Sequence, residues 1–371
     1  MKFKDYVNEQ SVGSLALAIQ EAYPTFDTGA LTARVFDDAW EARELKERIR
    51  HLTTVLHDLL PGGYRTALDF LRRAFPGVEG ITLWVFTDYV EAYGLDDWEA
   101  SIPALEEFTQ RTSAEFAIRP FIARYPERTM AQMLAWAGHE SAEVRRLASE
   151  GCRPRLPWGI RLQDLVADPS PILPILEQLK NDESESVRKS VANNLNDITK
   201  DHPDVVLDLL RRWQPDATKE VQWITGHALR TLVKKGHPEA LELLGHNADA
   251  AIAVHNLAVA PETLAIGDEV TLSFDVESAS DEPLNLMVDY VVYHRKANGQ
   301  LSPKVFKLTK RTIQPGEVLH IEKRHSFAPV TTRTYYPGEH AIEPKINGQL
   351  FGRASFALMA ATQTDSSATR L

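Results

Sequence analysis

One cysteine in 371 residues, Cys152, excludes an intramolecular disulfide framework and fits a reducing compartment. No apolar run approaches the roughly 18 residues that a membrane span needs. The amino-terminal MKFKDYVNEQ has no apolar stretch before its first acidic residues, so no secretory leader is expected. These absences lead to the expectation of a soluble, cytoplasmic protein without membrane contact. Familiar catalytic signatures are missing as well: there is no Walker loop, no GxSxG elbow and no Rossmann glycine pattern. Twelve histidines are scattered without metal-ligand spacing, so neither a metal nor an organic cofactor is expected.

Positive charge is scarce overall, with a formal net charge of −11, which at first argues against a nucleic-acid partner. Its distribution matters more than its sum. Residues 1–250 carry 29 Lys/Arg against 39 Asp/Glu, yet from Arg111 to Arg161 there are nine arginines, no lysine and five glutamates. A second basic stretch, Arg295 to Arg324, holds eight basic residues against Glu317 and Glu322. Charge alone balances a phosphate-binding surface evenly against two ordinary solvated faces.

Alternating strand patterns are nearly absent before residue 250. Apolar residues there recur at helical spacing, as in Ile49-Leu52-Val55-Leu59 and Leu68-Leu71-Phe75, punctuated by Pro61-Gly62-Gly63, Pro76-Gly77, Gly94 and Gly138. SAEVRRLASEGC, SESVRKSVANNL and TKEVQWITGHAL align on Val144, Val187 and Val221, each opening with a Ser or Thr cap and an acidic residue in the first turn. Preceding helices at Ala131–Ala137, Ile172–Leu179 and Val205–Trp213 complete the pairs. Such spacing fits HEAT-type repeats stacked into a solenoid with a concave face. At about 100° per residue, Lys189, Asn193 and Asp197 share a polar face, matched by Arg146 and Glu150 one repeat earlier and by Trp223 and His227 one repeat later.

After residue 250 the pattern changes. Seven short runs, from VHNLAV to LFGRASFALMA, are rich in β-branched and aromatic residues and are separated by turn signals such as Asn298-Gly299 and Asn347-Gly348. They predict an all-β immunoglobulin-like sandwich. The expected organisation is therefore mainly α: a HEAT-like helical-repeat solenoid over 1–248, a sandwich over 249–361, and a disordered tail over 362–371.

The candidate chemistry lies between Ser141 and Asp197. Gly151 is expected to end the Glu150 helix, and Pro154 and Pro157 in RPRLPWG stiffen a loop that presents Trp158. Taken singly, each of these residues reads more readily as packing or as a solvated ion pair. Jointly, an indole and the carboxylates of Glu150 and Asp197 suit a cation: the indole face attracts a positively charged base, and a carboxylate stabilises positive charge building on a sugar or orients the attacking water.

ASEGCRPRLPWG followed by VANNLNDI, within the helical array and with a sandwich appended, resembles the AlkC/AlkD family of HEAT-like DNA alkylation repair glycosylases, and most closely its AlkC branch. The resemblance covers nearly the whole chain. It implies excision of cationic N-alkylated bases, 3-methyladenine and 3-methylcytosine, from double-stranded DNA without deep base flipping, by a monomer acting in base excision repair. By that resemblance Glu150, Asp197 and Trp158 form the active site and Glu115, in SAEFAIRPF, joins them. From charge and position, Arg146, Arg153, Arg155 and Lys189 are expected to contact phosphates. The basic part of the sandwich, with Tyr293, His294, Arg295, Lys304, Lys307, Lys310 and Arg311, is expected to face DNA. The competing expectation is a repeat scaffold that binds a protein or distorted DNA without chemistry.

Overall fold

The computed structural model describes residues 2–360, so the expected disordered tail over 362–371 lies outside the described residues. The chain divides into two compact units, Met1–Ala228 and Leu229–Leu371.

The first unit is helical. Val144, Val187 and Val221, on which the repeats align, are all buried, and the helices that carry them are Ala142–Glu150, Glu185–Ile198 and Lys219–Ala228. The middle helix packs against both of the others, and Pro126–Trp136 and Leu173–Leu179 supply preceding helices close to those expected. Repeat capping differs from expectation. Ser141 and Ser184 occupy the N-cap position without a side-chain cap bond, whereas Thr218 Oγ1 accepts from the Val221 N–H at 3.3 Å. In the first two repeats the arginine after the repeat valine holds the entry turn instead, and in the third that position is Gln222. Arg145 donates to the carbonyls of His139 and Glu140, and Arg188 donates to those of Asp182 and Glu183. Arg145 also grips Asp182 of the following repeat through Nε at 2.6 Å and Nη2 at 3.0 Å. At Arg145 the VR dipeptide thus also ties one repeat to the next.

The second unit contains β1 (Ile252–Ala260), β2 (Thr263–Ala265), β3 (Glu269–Ser278), β4 (Leu284–Arg295), β5 (Leu301–Ile313), β6 (Val318–Ser326), β7 (Gly338–Ile346), β8 (Gln349–Leu350) and β9 (Ala354–Met359). The seven expected runs all form strands, and β2 and β8 are short additions. One sheet has the order β1-β3-β6 and the other β2-β9-β7-β4-β5, with β8 beside β7. Alternate residues of β3, Val270, Leu272, Phe274 and Val276, are buried in one apolar core with Leu286, Val288, Tyr290 and Val292 of β4, as a sandwich requires.

This unit begins before the boundary expected at residue 248. The helices Arg230–Lys235 and Pro238–Glu242 belong with the strands. Lys345 Nζ donates to the Lys234 carbonyl at 2.6 Å, and Asn347 Nδ2 to the Asn247 carbonyl at 2.8 Å. Gly236 and Gly348, both at positive φ, let the two backbones meet: a Cβ on Gly236 would lie 2.8 Å from the Gly348 carbonyl oxygen. Such long-range polar contacts leave no periodic trace in sequence.

Candidate active site

Glu150 is the last residue of its helix. Gly151 follows in ordinary helical conformation, and its lack of a side chain matters for space: a Cβ there would meet Ile118 Cγ2 at 2.6 Å. Burial of Cys152, Arg153 and Leu156 pulls the next segment inward, and the Pro154 carbonyl accepts from the Leu162 N–H at 3.3 Å. Trp158 then stands out at 70 % exposure with φ of 65°. For a residue with a Cβ this left-handed conformation costs about 1–2 kcal/mol, so contacts elsewhere in the loop must hold it.

Two carboxylates converge on one guanidinium. Arg153 Nη1 donates to Glu150 Oε1 at 2.6 Å and its Nε donates to Asp197 Oδ2 at 2.9 Å. Glu150 is 6 % exposed and Asp197 2 %. Ser190 Oγ donates to Glu150 Oε2 at 2.6 Å, and Lys200 Nζ to Asp197 Oδ1 at 2.8 Å. Glu115 joins through Arg146, whose Nη2 lies 2.8 Å from Glu115 Oε2 and 4.0 Å from Glu150 Oε1, while Ser113 Oγ donates to Glu115 at 3.0 Å. Three carboxylates are therefore interleaved with Arg146, Arg153 and Lys200, an alternation that lets buried charge persist. Each ionised carboxylate offers about four lone-pair sites. Glu150 and Asp197, each taking two side-chain hydrogen bonds, keep acceptor capacity for a water or a positive centre.

The polar stripe across three helices is present. Glu150 bonds to Ser190 of the middle helix, and Asn193 Oδ1 lies 3.1 Å from His227 Nε2 of the third. Trp223 stacks on His227 with centroids 5.0 Å apart and remains 43 % exposed.

The arginine-rich stretch is spent largely on the protein itself. Arg111 donates to the carbonyls of Phe75, Pro76 and Val78, Arg128 pairs with Glu99, and Arg145 bridges repeats. Arg153, expected on phosphate, is buried between Glu150 and Asp197, so it does not fit that role. Arg155 forms a two-pronged pair with Asp201 at 2.7 Å on both arms, and Arg146 is engaged with Glu115. Arg124 and Arg161 are exposed, as is Lys189 on the following repeat.

Sequence reading missed Arg119. It is fully buried and donates from Nη1 to the carbonyls of Gly151 and Arg153, both at 2.8 Å, and from Nε to that of Ile160 at 2.7 Å. Ser113, Ser190 and Lys200 were missed too, because short polar residues and one more lysine carry no signal until the tertiary fold aims them. Cys152 is not a nucleophile: burial pushes its thiol up to about 12.

In the sandwich, Lys304, Lys307, Lys310 and Arg311 are exposed along the edge strand β5, and Arg295 is half-buried at the end of β4. Two residues expected to face DNA do not present themselves. His294 is 6 % exposed within an aromatic cluster, and Tyr293 gives its hydroxyl to Glu343 at 2.7 Å beneath Arg353.

Comparison with known proteins places these features in context. Residues 109–232 match the family model described as "DNA alkylation repair enzyme", and residues 253–360 match "Uncharacterised protein YhaZ, C-terminal Ig-like domain". The chain is 42 % identical over 347 residues to the uncharacterised protein YhaZ of Bacillus subtilis (strain 168), covering 94 % of this chain and 96 % of that one. The solved structure of the Pseudomonas fluorescens alkylpurine DNA glycosylase AlkC, bound to DNA containing an abasic-site analogue, superposes with a TM-score of 0.91 at 39 % identity, covering 96 % of this chain and 99 % of that one. No helix among the described residues is long and apolar enough to cross a membrane.

Proposed function

Because the chain belongs to the DNA alkylation repair enzyme family represented by AlkC and YhaZ, we propose that it is a DNA glycosylase. It hydrolyses the N-glycosidic bond of cationic N-alkylated bases, 3-methyladenine and 3-methylcytosine, in duplex DNA and so opens base excision repair. The observation that carries this reading is the convergence of Glu150 and Asp197 on Arg153, with Trp158 exposed on the intervening loop.

The substrate supplies much of the driving force. A base alkylated at a ring nitrogen is positively charged, so when its bond to C1′ breaks, the electron pair neutralises it and no strong general acid is needed. The positive charge passes to the sugar, where Asp197 and Glu150 stabilise it electrostatically. Water adds its oxygen to C1′, and its proton passes to a carboxylate and then to solvent. The face of Trp158 receives the cationic nucleotide, and its exposure suits contact at the DNA surface without rotating the base into a deep pocket. Arg153 bridges both carboxylates and fixes their spacing.

Lys189 and Arg146 are assigned to phosphates near the lesion, and Lys304, Lys307 and Arg295 of the sandwich to the DNA backbone. The enzyme is assigned to the cytoplasm, where the chromosome is accessible to it, and acts as a monomer. Incubation with a methylated duplex followed by chromatography of the released bases tests the reading. Free 3-methyladenine is the expected product, and its absence with a well-folded sample removes the enzymatic role.

A further inference from the structure

Trp158 lies in a loop whose backbone is held by two cations from elsewhere in the helical unit. Arg119 ties the two ends of the loop to one guanidinium, taking the carbonyls of Gly151 and Arg153 on one side and Ile160 on the other. Its hydrogen-bond partners are the carbonyls of Gly151, Arg153 and Ile160, so these bonds are directed at backbone shape and none of them is spent on a carboxylate. The loop is seated so tightly that a Cβ on Gly159 would lie 3.0 Å from Arg119 Nε, while one on Gly151 would strike Ile118 beside it. Lys46, on the helix Leu45–Leu59, holds the tip: its Nζ donates to the Trp158 carbonyl at 3.1 Å and sits 4.2 Å from the centroid of the Phe116 ring. By fixing the Arg153 carbonyl, Arg119 also anchors the residue whose side chain joins Glu150 to Asp197.

We propose that Arg119 and Lys46 are positioning residues, which hold the 151–160 loop so that Trp158 keeps its left-handed backbone and its outward presentation to the damaged nucleotide. The proposal rests on the assignment of Trp158 to the site. Neither residue touches the reacting atoms; both act through the loop. A lysine at 46 serves because its ammonium reaches a carbonyl while lying over an aromatic face, a combination that methionine cannot reproduce and arginine can.

The test uses the full-length protein labelled with 5-fluorotryptophan, with Trp158→Phe identifying the Trp158 fluorine resonance. Lys46→Met is the main variant, because Lys46 is exposed and its loss leaves the core intact; Arg119→Lys is the second and Lys46→Arg the rescue. In Lys46→Met the Trp158 resonance is expected to move while the other six stay in place. Single-turnover release of 3-methyladenine is expected to fall about tenfold, within the range that small misplacements produce. Affinity for a duplex carrying an abasic analogue is expected to hold within about twofold, as a loss confined to positioning requires, and Lys46→Arg should restore both resonance and rate. An unmoved Trp158 resonance, or a wild-type rate in Lys46→Met while Trp158→Ala is slow, overturns the proposal. A wild-type rate in Trp158→Ala itself instead places the failure with the assignment of Trp158.

Discussion

Glu150 and Asp197, on neighbouring helices of successive repeats, accept from the same guanidinium, at 2.6 Å and 2.9 Å. That relationship turns two carboxylates, each nearly excluded from solvent, into one charged centre.

Removing the shared cation exposes the cost of burying the carboxylates. Arg153→Met is expected to destabilise the helical unit by about 3–5 kcal/mol, the usual penalty for leaving buried charge without its partner. Urea unfolding followed by helical circular dichroism measures it; a midpoint equal to wild type would show that the network adds nothing to stability.

The lysines of β5 give a salt-dependent signature. Lys304→Ala and Lys307→Ala should each reduce the slope of log affinity against log salt by about 0.9 if each meets one phosphate. Release from saturated complexes should stay at the wild-type rate. Unaltered slopes would assign these side chains to edge protection, which lysines on an edge strand also provide.

Acid should weaken the sandwich through its buried histidines. Burial, with Arg333 and neighbouring imidazoles adding to it, lowers His294 from 6.5 to about 3. His325 falls to about 4 by burial and the charges of Arg333, Lys323 and Lys304, and His340 is lowered mainly by burial. Below pH about 6.5 the unfolded chain binds protons that the folded sandwich refuses. The stability from these neutral histidines is thus complete above that pH and is lost as pH falls toward the folded values. Thermal unfolding between pH 7.5 and 5 should show a falling midpoint for the β unit; a flat profile would contradict it.

Cys152 should resist thiol reagents in the native protein and react fully in urea, since its Sγ is buried and directed at the Ala148 carbonyl. Stoichiometric labelling of the folded chain at pH 8 would contradict the packing.

Periodicity made the helices and strands legible. Val144, Val187 and Val221 mark repeat cores, and the alternation in EVTLSFDVES marks a sheet facing one core. The Pro154 and Pro157 spacing made the Trp158 loop legible too. Arginine destinations were not legible: one type serves as a repeat clamp at Arg145, a carboxylate bridge at Arg153 and a loop anchor at Arg119. Side-chain reach, with partners up to 44 residues away, decides among these roles, and composition carries no record of it. The start of the second unit was hidden for the same reason, because Lys345 and Asn347 reach back across 111 and 100 positions.

The central claim is that the Glu150–Arg153–Asp197 centre stabilises the transition state of base release. Single-turnover excision of 3-methyladenine from a duplex by wild type and by Asp197→Asn tests it most directly. Loss of this fixed negative charge should slow release about 100-fold, the scale for removing one electrostatic group aimed at developing charge, while affinity for the abasic analogue and the circular dichroism stay unchanged. Equal rates for the two proteins would contradict the account.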